Sequence, residues 1–239
     1  MKRFLAFDIE TAKILPEKVD DLLAYRPLGI ACAAAMASDF QQPLIWHGQD
    51  ESGHPTPQMT SMEAAQLVLK LSDLASQGYT ICTWNGLGFD FDVLAEESGR
   101  REDCARLAQN HVDMLFHFLC SQGYLISLQR ASEGMHLTGK REGISGAKAP
   151  VLWAAGRYKE VLEYCVQDVR LTLQLAEACE RSRHLTWITQ KGKLKKMSLS
   201  NGWLTVNKAK TLPLPDTSWM NAPPSRERFL RWILKTKLA

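Results

Sequence analysis

Residues 3–7, Arg-Phe-Leu-Ala-Phe, form a short apolar run that stops at Asp8-Ile9-Glu10. A run of this kind reads as a buried strand that ends at a site. Side chains alternate along a strand with a period of two, so Asp8 and Glu10 project from one face. Two anions held that close repel each other unless a cation lies between them. Paired hard oxygen ligands suit Mg²⁺ or Mn²⁺. Asp-x-Glu is also a common tripeptide, and a polar strand end facing water would carry it equally well.

The pattern after this run predicts an α/β fold with a mixed central sheet flanked by helices. Pro27–Ala37 and Leu44–His47 read as the second and third strands. Thr60 with Glu63 at the capping-box offset opens a helix, in which Ala64, Leu67, Val68, Leu71 and Leu74 recur at helical spacing. Tyr79–Trp84 is a buried strand and Asn85-Gly86-Leu87-Gly88 a turn. Helices are expected at Asp90–Glu97, Arg100–Gln109, Met114–Ser121 and Leu125–Glu133, and a long amphipathic one at Lys159–Arg181, which holds no Gly or Pro. Gly134–Ala149, with four glycines and several bases, reads as a loop. Past Ser182 the texture changes. His184–Gln190, Leu194–Leu199 and Trp203–Val206 look like a small β-meander, followed by the proline-bearing stretch Thr211–Pro224 and a basic amphipathic helix at Arg226–Lys237. The expected division is a body over residues 1–182 and a basic extension over 183–239.

The net charge of +3 conceals an asymmetry. Residues 181–239 hold 13 Lys and Arg against two acids, a net of +11, which leaves −8 on residues 1–180. An acidic body joined to a basic tail points to a polyanionic partner for the tail, or to a tail docked on its own body. The six cysteines are scattered without metal-finger spacing, as expected of reduced, mostly buried thiols in a cytoplasmic protein. No secretory signal and no membrane partner are expected.

Further carboxylates occupy telling positions. Asp90 follows a strand–turn pattern and falls in the first turn of a helix, where an acid also serves as an ordinary cap. Asp92, two residues on, points in another direction. Tyr164 and Asp168 sit four apart in the long helix, one above the other on one face. A phenol beside a metal-binding carboxylate could hold an attacking water, although a Tyr of pKa about 10 would leave most of the deprotonation to the metal.

Taken in order, Phe-Asp-Ile-Glu-Thr (7–11), Asn-Gly-Leu-Gly-Phe-Asp-Phe-Asp-Val-Leu (85–94) and Tyr-Cys-Val-Gln-Asp-Val-Arg-Leu-Thr (164–172) resemble the three exonuclease motifs of the DnaQ-like, or DEDD, superfamily. The Tyr-x-x-x-Asp third motif resembles the DEDDy branch. The wording is nearest to predicted 3′→5′ exonucleases related to the proofreading domain of family B DNA polymerases. The resemblance spans residues 3–180 and implies an RNase H-like fold. It implies that Asp8, Glu10, Asp90 and Asp168 bind two divalent cations, Mg²⁺ or Mn²⁺, about 3.5–4 Å apart. Tyr164 would then orient a water, and Thr11 and Asn85 would contact the terminal nucleotide or order the carboxylates. The implied reaction removes 5′-mononucleotides from the 3′ end of DNA, with RNA as the second choice of substrate. A non-catalytic nucleic-acid-binding scaffold is the reading from another class, and it is disfavoured because no metal carboxylate is missing. Asp92 departs from the family, where Pro or an apolar residue is usual, so either the turn differs or an extra polar contact exists. For the extension, the expectations are a grip on the nucleic-acid backbone or a replication or repair protein partner. Trp187, Trp203 and Trp219 would serve as stacking surfaces or as the core of a small β-unit.

Overall fold

A computed structural model of the chain describes residues 2–16, 21–137 and 146–234. In order these form β1 (Arg3–Thr11), a 3-10 turn (Leu22–Tyr25), β2 (Ile30–Ala37), β3 (Leu44–His47), α1 (Ser61–Ser76), β4 (Tyr79–Thr83), α2 (Asp90–Ser98), α3 (Arg101–Asn110), β5 (Val112–Asp113), α4 (Met114–Gln122), α5 (Leu128–Gly134), α6 (Ala149–Ala154), α7 (Tyr158–Ser182), β6 (His184–Ile188), β7 (Leu194–Ser198), α8 (Val206–Ala209) and α9 (Arg226–Leu234). The main sheet runs β3-β2-β1-β4-β5. β1, β2 and β3 pair antiparallel, whereas β4 joins β1, and β5 joins β4, in parallel. Both faces of this sheet carry a hydrophobic core.

The alternation along β1 sorts the molecule into layers. Leu5, Phe7 and Ile9 enter one core with Leu67, Val68 and Leu71 of α1 and Phe91 and Leu94 of α2. Phe4 and Ala6 enter a second core with Val161, Cys165 and Val169 of α7. Each fully buried Leu, Val or Phe contributes about 1.5–3 kcal/mol relative to exposure, so these two stripes fix which way the strand faces. α1 begins as expected: Thr60 accepts from the Glu63 N–H, and the Glu63 carboxylate accepts from the Thr60 N–H, closing the capping box. Among the described residues no helix is long and apolar enough to cross a membrane. All six cysteines are free and buried.

Three elements differ from expectation. β1 does not end at Asp8 but continues through Thr11, because β2 pairs with it as far as Thr11↔Ile30. α5 starts three residues late, at the point where the Ser127 hydroxyl caps it. The meander is a two-stranded hairpin, β6 with β7, and Trp203–Val206 is not its third strand. Trp203 instead turns inward, where its backbone N–H donates to the buried Glu180 carboxylate at 3.1 Å and its ring meets His117 edge-on at 5.5 Å. Trp187 packs edge-on against Phe118 at 4.9 Å. Both indoles are therefore core rather than stacking surfaces, and Trp219 stays 66% exposed. Of the segment read as a loop, residues 138–145 lie outside the described residues, as do residues 235–239, into which the last predicted helix extends.

Arg226, at the start of α9, ties the extension to the body. Its buried guanidinium donates to the carbonyls of Leu212 (2.6 Å), Pro213 (2.8 Å), Lys210 (3.3 Å) and, on α4, Cys120 (2.6 Å). Removing the side chain strands several acceptors at once. Arg226→Ala is expected to lower stability by about 2–3 kcal/mol in urea unfolding, against less than about 0.5 kcal/mol for the exposed Arg228→Ala. Equal effects of the two would refute this role.

Candidate active site

β4 runs beside β1 only from Arg3 to Ala6, then leaves through Thr83 into the Asn85–Gly88 turn. β1 continues on β2 alone, with Asp8 opposite Ala34 and Glu10 opposite Cys32. The departure opens a gap along β1 at the level of its two acids. Asp90, the first residue of α2, reaches into that gap, and its Oδ1 accepts a hydrogen bond from the Ile9 N–H at 3.1 Å. The carboxylate is 3% exposed. Burial pushes its pKa up to about 7, against the pull of the Ile9 and Asp90 N–H groups and of a hydrogen bond with Asp8.

Asp8 and Glu10 share the face of β1 that α7 covers. Their carboxylates and the Cys165 thiol have ligand atoms within 4.8 Å of one another, and the thiol leans on the Asp8 carbonyl at 3.7 Å. Tyr164 and Asp168, one turn apart on α7, complete the group. Burial raises the Tyr164 pKa well above its ordinary value, followed by the negative charges of Asp168, Glu10 and Asp8 and a hydrogen bond with Asp168. The Cys165 thiol is likewise held protonated, first by its hydrogen bond with Cys32 and then by burial. Four carboxylates and one phenol from β1, α2 and α7 thus converge, and the charges of Asp168, Glu10 and Asp8 raise the cost of ionising Tyr164. The donor set is mainly carboxylate oxygen and carries more negative charge than its burial supports, which fits one or more hard divalent cations.

The turn before Asp90 is built for close approach. Asn85 has φ of 80°, and a Cβ on Gly86 would come within 2.5 Å of the Thr83 hydroxyl, which instead accepts from the Gly86 N–H at 3.0 Å. Asp113 holds the turn from below, its carboxylate accepting from the N–H groups of Asn85 (3.2 Å) and Leu87 (2.8 Å) while it caps α4 through Phe116 (2.9 Å). His111 adds a hydrogen bond to Thr83 at 3.0 Å and packs on Phe91, and burial pushes its pKa down to about 4. From the far end of the chain, Trp232 of α9 donates its indole N–H to the Leu87 carbonyl at 2.8 Å.

Asp8, Glu10, Asp90, Tyr164 and Asp168 are therefore brought together, while Thr11 and Asn85 lie at the rim, half-buried, on the β1 end and the turn. Asp92 does not join them. It forms an ion pair with Arg26 at 2.5 Å, which also meets Glu96, so the departure from the family pattern is an added polar contact. Asp113, Cys165 and Trp232 were missed at the level of sequence. A helix-capping signal at Asp113 was available, but its hold on a turn 26–28 residues earlier was not.

Comparison with known proteins follows this geometry. The family B DNA polymerase from Pyrobaculum calidifontis is similar over 75% of this chain and 24% of its own, at 21% identity and a TM-score of 0.55. Exonuclease I from E. coli, in complex with an oligonucleotide, aligns over 76% of this chain and 41% of its own, at 17% identity and a TM-score of 0.38. Exonuclease I from Methylocaldum szegediense aligns over the same shares at 16% and 0.34. The chain thus spans a quarter to less than half of the solved structures it resembles. No curated protein matches it in sequence. The RNase H superfamily model matches residues 45–180, more than half of the chain, and with its nuclease-type mixed sheet the protein belongs to that superfamily.

Proposed function

We propose that the protein is a 3′→5′ exonuclease that hydrolyses phosphodiester bonds from the 3′ end of DNA and releases 5′-mononucleotides. The observation that carries this reading is the convergence of Asp8, Glu10, Asp90 and Asp168 with Tyr164 in the gap between β1 and β4. Asp8, which lies beside both Glu10 and Asp90, would hold the cations together with Glu10, Asp90 and Asp168. Bound there, Mg²⁺ or Mn²⁺ would activate a water and stabilise the leaving 3′ oxygen.

The protein's own groups divide the remaining work. Burial and the neighbouring carboxylates raise the Tyr164 pKa, which supports a role in orienting a water through its hydroxyl over one as a base. The Ile9 N–H holds one oxygen of Asp90 in place. Asn85 and Thr11, half-buried at the rim, would meet the terminal nucleotide. DNA is preferred to RNA because the motif wording matches the proofreading branch and the fold is shared with a family B DNA polymerase. An exoribonuclease is the second reading.

With 3′-labelled DNA and Mn²⁺, wild-type protein is expected to release labelled mononucleotides, and Asp8→Ala to be slower by about 10³-fold. Equal product from both would sink the site, and internal fragments from a 3′-blocked strand would sink the exonuclease direction. Tyr164→Phe is expected to lose about 10²-fold in kcat with Mn²⁺ affinity retained in calorimetry. Loss of affinity instead would assign the phenol to the metal.

A pH dependence follows from Asp90. Its folded pKa of about 7 exceeds the ordinary 3.8, so the folded state holds the extra proton between those values. Its contribution to stability is present at low pH and falls as pH rises through 7. A divalent cation competes with that proton. The rise in Tm on adding Mn²⁺ is therefore expected to grow from about pH 6 to about pH 8, and to be absent in Asp90→Asn. A rise independent of pH would contradict the placement of Asp90 in the cation site.

A further inference from the structure

The basic helix α9 has no part in the chemistry above, yet it sits against the turn that aims Asp90. A Cβ on Gly88 would come within 2.8 Å of the Phe229 ring, so only glycine lets the helix come this close. Trp232 is bonded to the Leu87 carbonyl, and Arg101 of α3 donates to the Trp232 carbonyl at 2.6 Å. Beside this contact lies a cavity of about 380 Å³, lined among others by Gly88, Asp92, Arg26, Arg228, Arg231 and Trp232. Gly88 and Asp92 each stand two residues from Asp90, which puts their Cα atoms within about 7 Å of it.

The charges around this cavity do not cancel. Asp92 is matched by Arg26, and Asp21, also on the wall, spends an oxygen on the Leu23 N–H. Arg228 and Arg231, one turn apart on exposed positions of α9, have no carboxylate within ion-pair distance among the described residues. Two guanidinium forks without an ion-pair partner among the described residues therefore line a concave, polar space, next to a site read as one that cuts phosphodiesters. Guanidinium groups match phosphate oxygens in a bidentate way, and this pairing is stronger than a point-charge contact. Residues 90 and 92 project about 200° apart around α2, so the cavity opens on the flank of the turn away from the carboxylates. A strand leaving the gap across the Asn85–Gly88 turn would meet it next.

We infer that this cavity is an anchor for a backbone phosphate of the nucleic acid, held by Arg228 and Arg231 at a distance from the bond being cut. The anchor gives α9 a binding role without base contacts, and its ligand rests on the exonuclease reading. The test measures binding of a 5′-labelled single-stranded DNA oligonucleotide by fluorescence anisotropy over a series of salt concentrations, with Ca²⁺ in place of a catalytic metal. Arg228→Gln/Arg231→Gln is expected to bind more weakly, with the slope of log K against log salt shallower by about 0.7 for the one phosphate no longer neutralised. Lys195→Gln/Lys196→Gln, which removes the same charge from β7, is expected to change the slope by less than half as much. An unchanged slope in the arginine variant, or an equal change in both, would overturn the anchor. A thermal melt of each variant checks that these exposed substitutions leave the fold intact. The exonuclease reading is tested apart, with wild-type protein, Mn²⁺ and the p-nitrophenyl ester of thymidine 5′-monophosphate. Nitrophenol release with an unchanged arginine slope would overturn the anchor alone, and a shallower slope without release would overturn the exonuclease alone.

Discussion

One main-chain donor organises the candidate site: the Ile9 N–H that reaches Asp90 across the space β4 has vacated. In a parallel pair the shorter strand leaves its neighbour's edge unpaired, and a buried N–H without an acceptor is costly. Here the acceptor is a side chain from the following helix. The hydrogen bond that satisfies β1 thereby also fixes a carboxylate beside Asp8 and Glu10. The Asp113 carboxylate, the two glycines of the turn and the Trp232 indole all act on the same few residues, holding the turn that delivers Asp90.

That arrangement concentrates negative charge where water is scarce. Asp90 and Asp113 both have raised pKa values, to about 7 and about 6, chiefly through burial, and the Tyr164 phenol and Cys165 thiol are held protonated. A polypeptide that folds such a cluster retains a standing affinity for cations. Anionic side chains gather around the gap, and Arg228 and Arg231 line a cavity beside the turn.

How much of this could be read beforehand depends on the range of the interaction. The alternation of Leu5, Phe7 and Ile9 against Asp8 and Glu10 is local, and it set the facing of β1 correctly. The Thr60–Glu63 capping box spans three residues and was equally legible. Tyr164 above Asp168 needed only helix geometry. By contrast, Asp92 acquires its meaning from Arg26, some sixty residues away in the chain, and only their ion pair explains an acid in that place. The third meander strand failed for a similar reason. Trp203 has a good strand sequence around it, but Glu180 and His117 offer it a buried socket, and tertiary packing overrode local preference. Nothing in the neighbourhood of Trp232 signals that its indole would brace the turn next to Asp90.

The hydrogen bond from Trp232 to Leu87 joins residues 145 positions apart. Closing a chain segment of that length costs about 4 kcal/mol of entropy beyond a constant, and such contacts form only after local structure is in place. The contact of α7 with the Asp8 strand spans 157 residues, so neither the cluster of acids nor the turn that aims Asp90 is completed by local structure alone. Both the carboxylate cluster and the aim of Asp90 therefore depend on contacts made across most of the chain.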